Sequence, residues 1–427
     1  MKIDKDIFLG KKILIYGLGK SGISTFRFLK KKADVHLFDD NQTINQKQID
    51  LNQLLQTKFD KIIISPGIDI LKCKLKKFLK KNFSNIYTDL DVFYSFYKNK
   101  SIAITGTNGK STTAKILHDV LNDQNIDTRL IGNIGNPALA EKRISKKTFF
   151  VIEVSSYQLD YSKIFCSKYA VILNISPDHI ERHKNLKNYV NAKFKLLDAQ
   201  TRHSFAYVKK NDELINKKIK KIKLQQKIFR VDTSNLKKIT NKLNNKYFIS
   251  EGNKENLSFV LKIASKLKLN KTKLINTLNN FKGLKYRQQI IFDNKNLTII
   301  NDSKSTSLAS SENMLKNYND IYWILGGIPK KGDKFKLSKK KCKNFKVFIF
   351  GNYHRIFSKI LSNKINIKKF KNLKETLNEV FFRIKKQNIK KNIIFFSPAG
   401  ASFDNFKNFE ERGKYFNQLI KKFVNAK

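Results

Sequence analysis

The sequence predicts an α/β protein of three domains, on three observations. A small-residue turn, Gly17-Leu18-Gly19-Lys20-Ser21-Gly22, follows an apolar strand pattern at Lys11–Tyr16. A second, Gly106-Thr107-Asn108-Gly109-Lys110-Ser111, follows the strand start Ser101–Ile104. From Leu297 onward, short apolar runs again alternate with helical stretches and end in polar clusters. This alternation favours parallel sheets with ligands at the strand C-termini. The 427 residues suffice for several cores. The expected division is a Rossmann-like N-terminal domain over 1–97, a central phosphate-loop domain with a mostly parallel sheet over 98–286, and a Rossmann-like C-terminal domain over 287–427.

In the first segment, Asp34–Phe38 and Lys61–Ile64 read as further strands, ending in Asp39-Asp40 and Ser65-Pro66-Gly67. Gly17-x-Gly19-x-x-Gly22 with Asp39 at the next strand end fits a dinucleotide pattern. A nicotinamide enzyme has no need of the phosphate loop downstream, so a nucleotide-linked substrate is the expected ligand of this first sheet.

Gly106–Ser111 is the most informative stretch. Backbone N–H groups and a helix start, here Thr112–Leu121, face an anion in such a turn; Lys110 reaches terminal phosphates and the Ser111 hydroxyl suits Mg²⁺. The generic phosphate loop needs Gly at position 104, where this chain has Ile. The shortened spacing is therefore more specific than the generic pattern. Phe149–Ile152 reads as a strand delivering Glu153-Val154-Ser155-Ser156-Tyr157-Gln158, and Tyr169–Leu173 as one delivering Asn174-Ile175-Ser176-Pro177-Asp178-His179. Glu153 and His179 are thus candidate Mg²⁺ ligands with Ser111. Residues 211–246 are Lys-rich and weakly patterned, and read as peripheral. Phe281–Arg287 reads as a hinge.

The third segment places strands at Leu297–Ile300, Ile321–Leu325, Lys346–Phe350 and Asn392–Phe396. Asn301-Asp302-Ser303-Lys304, Gly326-Gly327 and Ser397–Ser402 follow three of them. An acid, a base and hydroxyls at one strand terminus suit either a site or an ordinary polar turn.

The formal net charge of +53 suggests polyanion binding. Only ten of the 87 basic residues are Arg, however, and the lysines are spread through every segment. Lys, Asn, Ile and Phe are inflated together, which base composition explains better than a nucleic-acid partner. No specific nucleic acid is expected. No run of 18 apolar residues occurs, so no membrane insertion is expected. The charged Met1–Gly10 does not read as a signal peptide, and Cys73, Cys166 and Cys342 make no paired metal spacing; a reducing cytoplasmic setting is expected.

Together the motifs resemble the Mur ligase family, ATP-dependent ligases that build the peptidoglycan stem peptide. The resemblance runs in order through Gly106–Ser111, Glu153-x-Ser155-Ser156-x-Gln158, Asn174-x-x-x-Asp178-His179, Asn253-x-x-Asn256, Phe281-x-Gly283-Leu284 and Asn301–Lys304, and so covers nearly the whole chain. Ser65-Pro66-Gly67-Ile68, Gly132-Asn133-Ile134-Gly135 and the tail from Ser397 to Gly413 resemble the branch that adds D-glutamate. The resemblance implies a UDP-sugar-binding first domain, a central ATPase and an amino-acid-binding third domain, with UDP-N-acetylmuramoyl-L-alanine, D-glutamate and ATP as small-molecule substrates, Mg²⁺ as cofactor, and a monomer. It assigns Ser21, Asp39, Ser65, Gly67, Asn133 and His179 to the UDP-sugar. Gly106, Thr107, Asn108, Gly109, Lys110, Ser111 and Thr112 fall to the ATP phosphates, and Asn253, Arg287 and Asp302 to the rest of the nucleotide. Thr306, Lys330, Ser402, Phe403 and Phe409 match positions around D-glutamate.

By the same resemblance Lys110, His179 and Lys193 are catalytic. Lys193 matches a lysine that is carbamylated, and would join Ser111, Glu153 and His179 as a metal ligand; sequence physics alone does not separate it from the other lysines. The chain departs from the family pattern at Gly252, Tyr286 and Gly400, where His, His and Cys are usual, at Gln289, where Glu is common, and at Asp40-Asn41, where some members carry Thr-Arg. A folylpolyglutamate synthase would share the central ATPase but lack Ser65-Pro66-Gly67 and the long tail motif. A non-enzymatic nucleotide-binding module would bind polyanions without ATP turnover.

Overall fold

The computed structural model describes residues 7–41, 46–236, 242–386 and 391–425; Met1–Asp6 and 237–241 of the Lys-rich stretch lie outside them. The chain forms two compact units. One comprises Met1–Asn244 with Glu255–Asn279, the other Asn245–Lys254 with Asn280–Lys427.

The first unit holds two sheets. Strands β1 (Lys12–Tyr16), β2 (Asp34–Phe38), β3 (Lys61–Ile64) and β4 (Ile86–Tyr87) form a parallel sheet of order β2-β1-β3-β4. Strands β5 (Ser101–Thr105), β6 (Thr128–Gly132), β7 (Phe149–Glu153), β8 (Tyr169–Ile172), β9 (Phe205–Lys209) and β10 (Lys227–Val231) form a six-stranded parallel sheet of order β10-β9-β8-β5-β7-β6. All residues of β5, β7 and β8 are buried. Helices cover both faces of such a sheet, which is why these strands read as unbroken apolar runs. Since β5 lies between β7 and β8, the loops that begin at Gly106, Val154 and Leu173 emerge side by side at one sheet edge.

One short helix fastens the two sheets of this unit together. Thr88 and Asp91 form a capping box at the start of helix Asp89–Phe96. Asp91 is fully buried, and its Oδ1 accepts from the Ser162 hydroxyl at 2.8 Å and from the backbone N–H groups of Lys163, Ile164 and Phe165 at 3.0, 2.8 and 3.0 Å. A buried carboxylate so satisfied holds the segment after helix Ser156–Tyr161 in place.

Residues 211–246, read as peripheral, lie at the outer end of the central sheet. They supply helix Glu213–Ile219 and β10, which pairs in parallel with β9. As an edge strand, β10 exposes Lys227 and Arg230, so its pattern is too polar to stand out.

The second unit is a six-stranded sheet of β11 (Gln289–Asp293), β12 (Leu297–Asn301), β13 (Asp320–Gly326), β15 (Asn344–Phe350), β16 (Ile367–Phe370) and β17 (Asn392–Phe396), in the order β11-β12-β17-β13-β15-β16. Only β11 runs antiparallel to its neighbour. A two-stranded ribbon of β14 (Ile328–Pro329) and β18 (Gly400–Ala401) lies beyond the ends of β13 and β17. The protein is thus a mixed α/β structure with parallel sheets. Among the described residues, no helix is long and apolar enough to cross a membrane.

Candidate active site

In the first unit the Gly106–Gly109 loop is shaped by contacts that only this sequence allows. Gly109 has φ +85°, and a Cβ there would lie 2.1 Å from Asn256 Oδ1. Asn174 clamps the loop from β8: its Oδ1 accepts from Asn108 N–H at 2.9 Å, its Nδ2 donates to Asn108 O at 3.2 Å, and its own carbonyl accepts from Thr107 N–H at 2.9 Å. Thr107 Oγ1 accepts from Ser176 N–H at 3.0 Å and lies 3.0 Å from the Tyr189 hydroxyl. Helix Lys110–Asn122 begins directly after Gly109. Lys110 Nζ donates to Gly106 O at 2.9 Å and Thr107 O at 2.8 Å, so the lysine lies over its own loop, where an anion would be bound.

Lys193, on helix Leu186–Asp198, reaches the same carbonyl: its Nζ donates to Gly106 O at 2.8 Å. It is 2 % exposed. Burial first, and the Lys110 charge second, hold its ammonium well below the ordinary lysine range, against the pull of Asp178 and Glu153. Its burial sets this lysine apart from every exposed lysine of the chain.

Glu153 ends β7 at 1 % exposure. Its Oε1 accepts from Asn133 Nδ2 at 3.0 Å, while its Oε2 is buried with no hydrogen-bond partner. A buried carboxylate oxygen without a partner is costly, and a cation would relieve it. Among the described residues, no three His, Cys, Asp or Glu side chains come together as a metal cluster. The donor set for a hard divalent ion is therefore Glu153, the Ser111 hydroxyl, a ring nitrogen of His179, phosphate oxygens and, if carbamylated, Lys193; it fits Mg²⁺ and not a soft metal.

His179 adopts a left-handed conformation, φ +52°, ahead of helix Ile180–His183. Its Nδ1 lies 2.9 Å from the Tyr157 hydroxyl and its Nε2 3.5 Å from Asp178 Oδ2. His183, which the sequence analysis passed over, is buried with Nε2 3.0 Å from Ser156 Oγ, and burial lowers its pKa. The four-residue spacing to His179 was its only signal. Arg182 sits over the Tyr157 and Tyr161 rings, pairs with Asp69 at 3.4 Å and donates to Ile68 O in the Ser65–Ile68 turn.

At the first sheet, Ser65 Oγ donates to Gly17 O at 2.6 Å, and Asp39 Oδ2 accepts from Leu18 N–H at 2.5 Å. A Cβ at Gly22 would lie 1.9 Å from Gly17 O, so the turn closes only around glycine. Ser21 lies after β1, Asp39 after β2, and Ser65 and Gly67 after β3, at the C-terminal end of the first sheet.

In the second unit Asp302 follows β12. Its Oδ1 accepts from Gln288 N–H at 3.1 Å and its Oδ2 from Ser397 Oγ at 3.0 Å; Ser397 Oγ in turn lies 2.6 Å from Ser311 Oγ. Burial pushes its carboxyl up to about 7. Asn253 Nδ2 donates to Tyr247 O at 2.8 Å, and Arg287 lies in the turn just before Gln288. Arg412 is fully buried: Nε donates to Ser303 Oγ at 3.1 Å, Nη2 to Ser303 O at 2.8 Å and to Gly400 O at 3.0 Å. It ties the turn after β12 to β18 and to helix Phe409–Asn425.

Residues 104–279 match the family model described as the Mur ligase middle domain. A UDP-N-acetylmuramoylalanine--D-glutamate ligase of Rickettsia felis is 33 % identical to this chain over 440 residues, covering 96 % of this chain and 97 % of the relative. Its namesake in Rickettsia prowazekii is 32 % identical, covering 96 % and 98 %. The chain belongs to this ligase family. A relative of the same name in Francisella tularensis subsp. novicida is 32 % identical, covering 96 % and 95 %. Solved structures show the same fold: UDP-N-acetylmuramate-alanine ligase MurC of Thermotoga maritima at TM-score 0.56 and 16 % identity, covering 98 % and 100 %, and MurF of Acinetobacter baumannii at 0.57 and 17 %, covering 78 % and 80 %.

Within each unit, the residues expected from this family gather as follows. Gly106–Thr112, Glu153, Asn133, His179 and Lys193 surround one edge of the central sheet. The β14–β18 ribbon pairs Ile328 with Ala401 and Pro329 with Gly400, so Lys330 and Ser402 leave it at opposite ends, and Asp333 joins the loop after Lys330 to the Thr306 turn through Leu308 N–H at 2.5 Å. Phe409 carries the Lys304 ammonium 3.9 Å over its ring. Phe403 is the outlier, 72 % exposed.

Proposed function

We propose that this member of the ligase family adds D-glutamate to UDP-N-acetylmuramoyl-L-alanine at the expense of ATP, in peptidoglycan precursor synthesis. The single observation that carries the reading is the Gly106–Ser111 loop, with buried Glu153 and buried Lys193 beside it, in a chain one-third identical to named D-glutamate ligases over almost its whole length. We read the three sheets as three domains, bounded near residues 97 and 286.

A carboxylate is a poor electrophile. The L-alanyl carboxylate attacks the γ-phosphoryl group, giving an acyl phosphate and ADP; the D-glutamate amine then attacks the acyl carbon and inorganic phosphate leaves. Catalysis is mainly positioning and charge neutralisation. The loop N–H groups cradle the phosphates. Lys110 gives up its two loop carbonyls to meet the terminal phosphate. Ser111, Glu153, His179 and carbamylated Lys193 would hold Mg²⁺, which supplies further neutralisation of phosphate charge. Carbamylation turns a neutral amine into an anion, and the depressed basicity of Lys193 supports it. Tyr157 and Asp178 orient the His179 ring.

Ser21, Asp39, Ser65, Gly67, Asn133 and His179 are read as UDP-sugar contacts, Asn253, Arg287 and Asp302 as nucleotide contacts, and Thr306, Lys330, Ser402, Phe403 and Phe409 as D-glutamate contacts. Mass spectrometry tests the reaction. With Mg-ATP and both substrates, the UDP-sugar should gain one glutamyl residue. An unmodified UDP-sugar after ATP has been consumed would refute the reading.

A further inference from the structure

The outer end of the central sheet supplies a buried acid that the reaction above leaves unused. Asp212 follows β9 and is 9 % exposed. It caps helix Glu213–Ile219: its Oδ1 accepts from Ile215 N–H at 3.0 Å. A cap needs only one oxygen. The other, Oδ2, accepts from Ile175 N–H at 2.8 Å, in the loop after β8.

The place of Ile175 gives this second bond its meaning. Asn174, just before it, holds Asn108 through its side chain and Thr107 N–H through its carbonyl. Ser176, just after it, donates its N–H to Thr107 Oγ1 at 3.0 Å. Both neighbours thus close on the Gly106–Gly109 loop, while Ile175 N–H turns to Asp212. Ile175 is itself buried, so its N–H has no ready exchange for water. Without Asp212 that N–H would be orphaned, and the loop would have to open to hydrate it. Asn174 would be drawn away with it.

The anchor behind Asp212 is firm. β9 lies between β8 and β10, Lys210 N–H donates to Val231 O at 2.8 Å, and Asn216 Nδ2 donates to Lys210 O at 2.7 Å. The nearby ion pair of Lys209 with Glu255, at 2.6 Å, is partly exposed and contributes less. We propose, on the ATP reading of the Gly106–Ser111 loop given above, that Asp212 is a positioning residue for the nucleotide: by holding Ile175 N–H it keeps Asn174 closed on the phosphate loop before ATP arrives. Only the closed fraction of the loop binds, so the bond acts on affinity as well as on stability.

Two substitutions separate the cap from the tie. Asp212→Ser keeps one oxygen for Ile215 N–H and loses the one that reaches Ile175. Asp212→Ala loses both. Mg-ADP binding to the full-length chain is measured by calorimetry, beside the melting curve. The Kd should rise by about tenfold or more in both variants, the scale of one hydrogen bond to a charged group. The melting curve should fall further for Asp212→Ala than for Asp212→Ser. Amide hydrogen exchange reads the same tie without nucleotide. In the wild type, Thr107, Asn108, Ile175 and Ser176 N–H should be protected together, and in Asp212→Ser all four should exchange at least about tenfold faster. An Asp212→Ser chain that binds Mg-ADP like wild type overturns the assignment of Asp212 alone. So does a wild-type chain in which Ile175 N–H exchanges freely while Thr107 and Asn108 stay protected, a result that needs no variant to fold. A wild-type chain that binds no Mg-ADP overturns the ATP reading of the loop, and this inference with it.

Discussion

Gly109→Ala tests how tightly the phosphate loop is built. At φ +85° an alanine costs about 1–2 kcal/mol in backbone strain alone. Its Cβ would also lie 2.1 Å from Oδ1 and 3.0 Å from Cγ of Asn256, a side chain that is 5 % exposed. Ordinary contact begins near 3.4 Å, so Asn256 must retreat by more than an ångström within a filled interior, at about 1–3 kcal/mol more. The expected total is about 2–5 kcal/mol. Denaturant unfolding of the first unit, with the second unit followed separately, reads it as a lower midpoint at unchanged slope. Asn256→Ala removes both clashing atoms, so the double variant should recover the steric part and leave the backbone part. The cycle should therefore show a coupling of about 1–3 kcal/mol. Zero coupling would show that the loop moves freely, and would refute the argument that Gly109 is required by a rigid, pre-shaped anion cradle.

Three further outcomes follow from the same structure. Lys110→Ala should lower kcat by about a thousandfold or more, while circular dichroism and the melting curve stay near wild type, because the lysine's bonds to Gly106 O and Thr107 O lie within its own loop. Lys193→Ala should be equally severe in turnover, and short-chain carboxylic acids should restore part of it by supplying the missing carboxylate; no rescue would argue against carbamylation. Asp302 is raised from 3.8 to about 7 by burial, so its neutral form adds stability that is complete below about pH 4 and lost as pH rises through about 7. Relative to Asp302→Asn, the wild-type second unit should therefore lose stability between those limits, as read by denaturant midpoints across the range.

The parts of the fold that the sequence shows best are those with the simplest burial. Strands β1, β5, β7, β8, β12 and β17 are enclosed on both faces, so their apolar runs and the polar turns after them are visible directly. Edge elements are not. β10 alternates exposed Lys227 and Arg230 with partly buried neighbours, and β16 exposes Lys368 and Lys369, so neither contrasts with a Lys-rich background. The site divides in the same way. Gly106–Ser111, Glu153 and His179 sit at strand ends and announce themselves. Lys193 does not, because its difference from the other lysines lies in a depth of burial that helix Leu186–Asp198 and the Gly106 carbonyl create together. Asp89 and Asp91 are hidden for a related reason. They share one short helix, and the fold buries both, Asp91 against the 162–165 segment.

The central claim is tested most directly by ATP-dependent phosphate release with UDP-N-acetylmuramoyl-L-alanine, comparing D-glutamate with L-glutamate and with a diamino acid as the only amine. The account predicts release with D-glutamate, and release near background with either of the others or when the UDP-sugar is omitted. Faster release with another amine, or release that does not depend on the UDP-sugar, would contradict it.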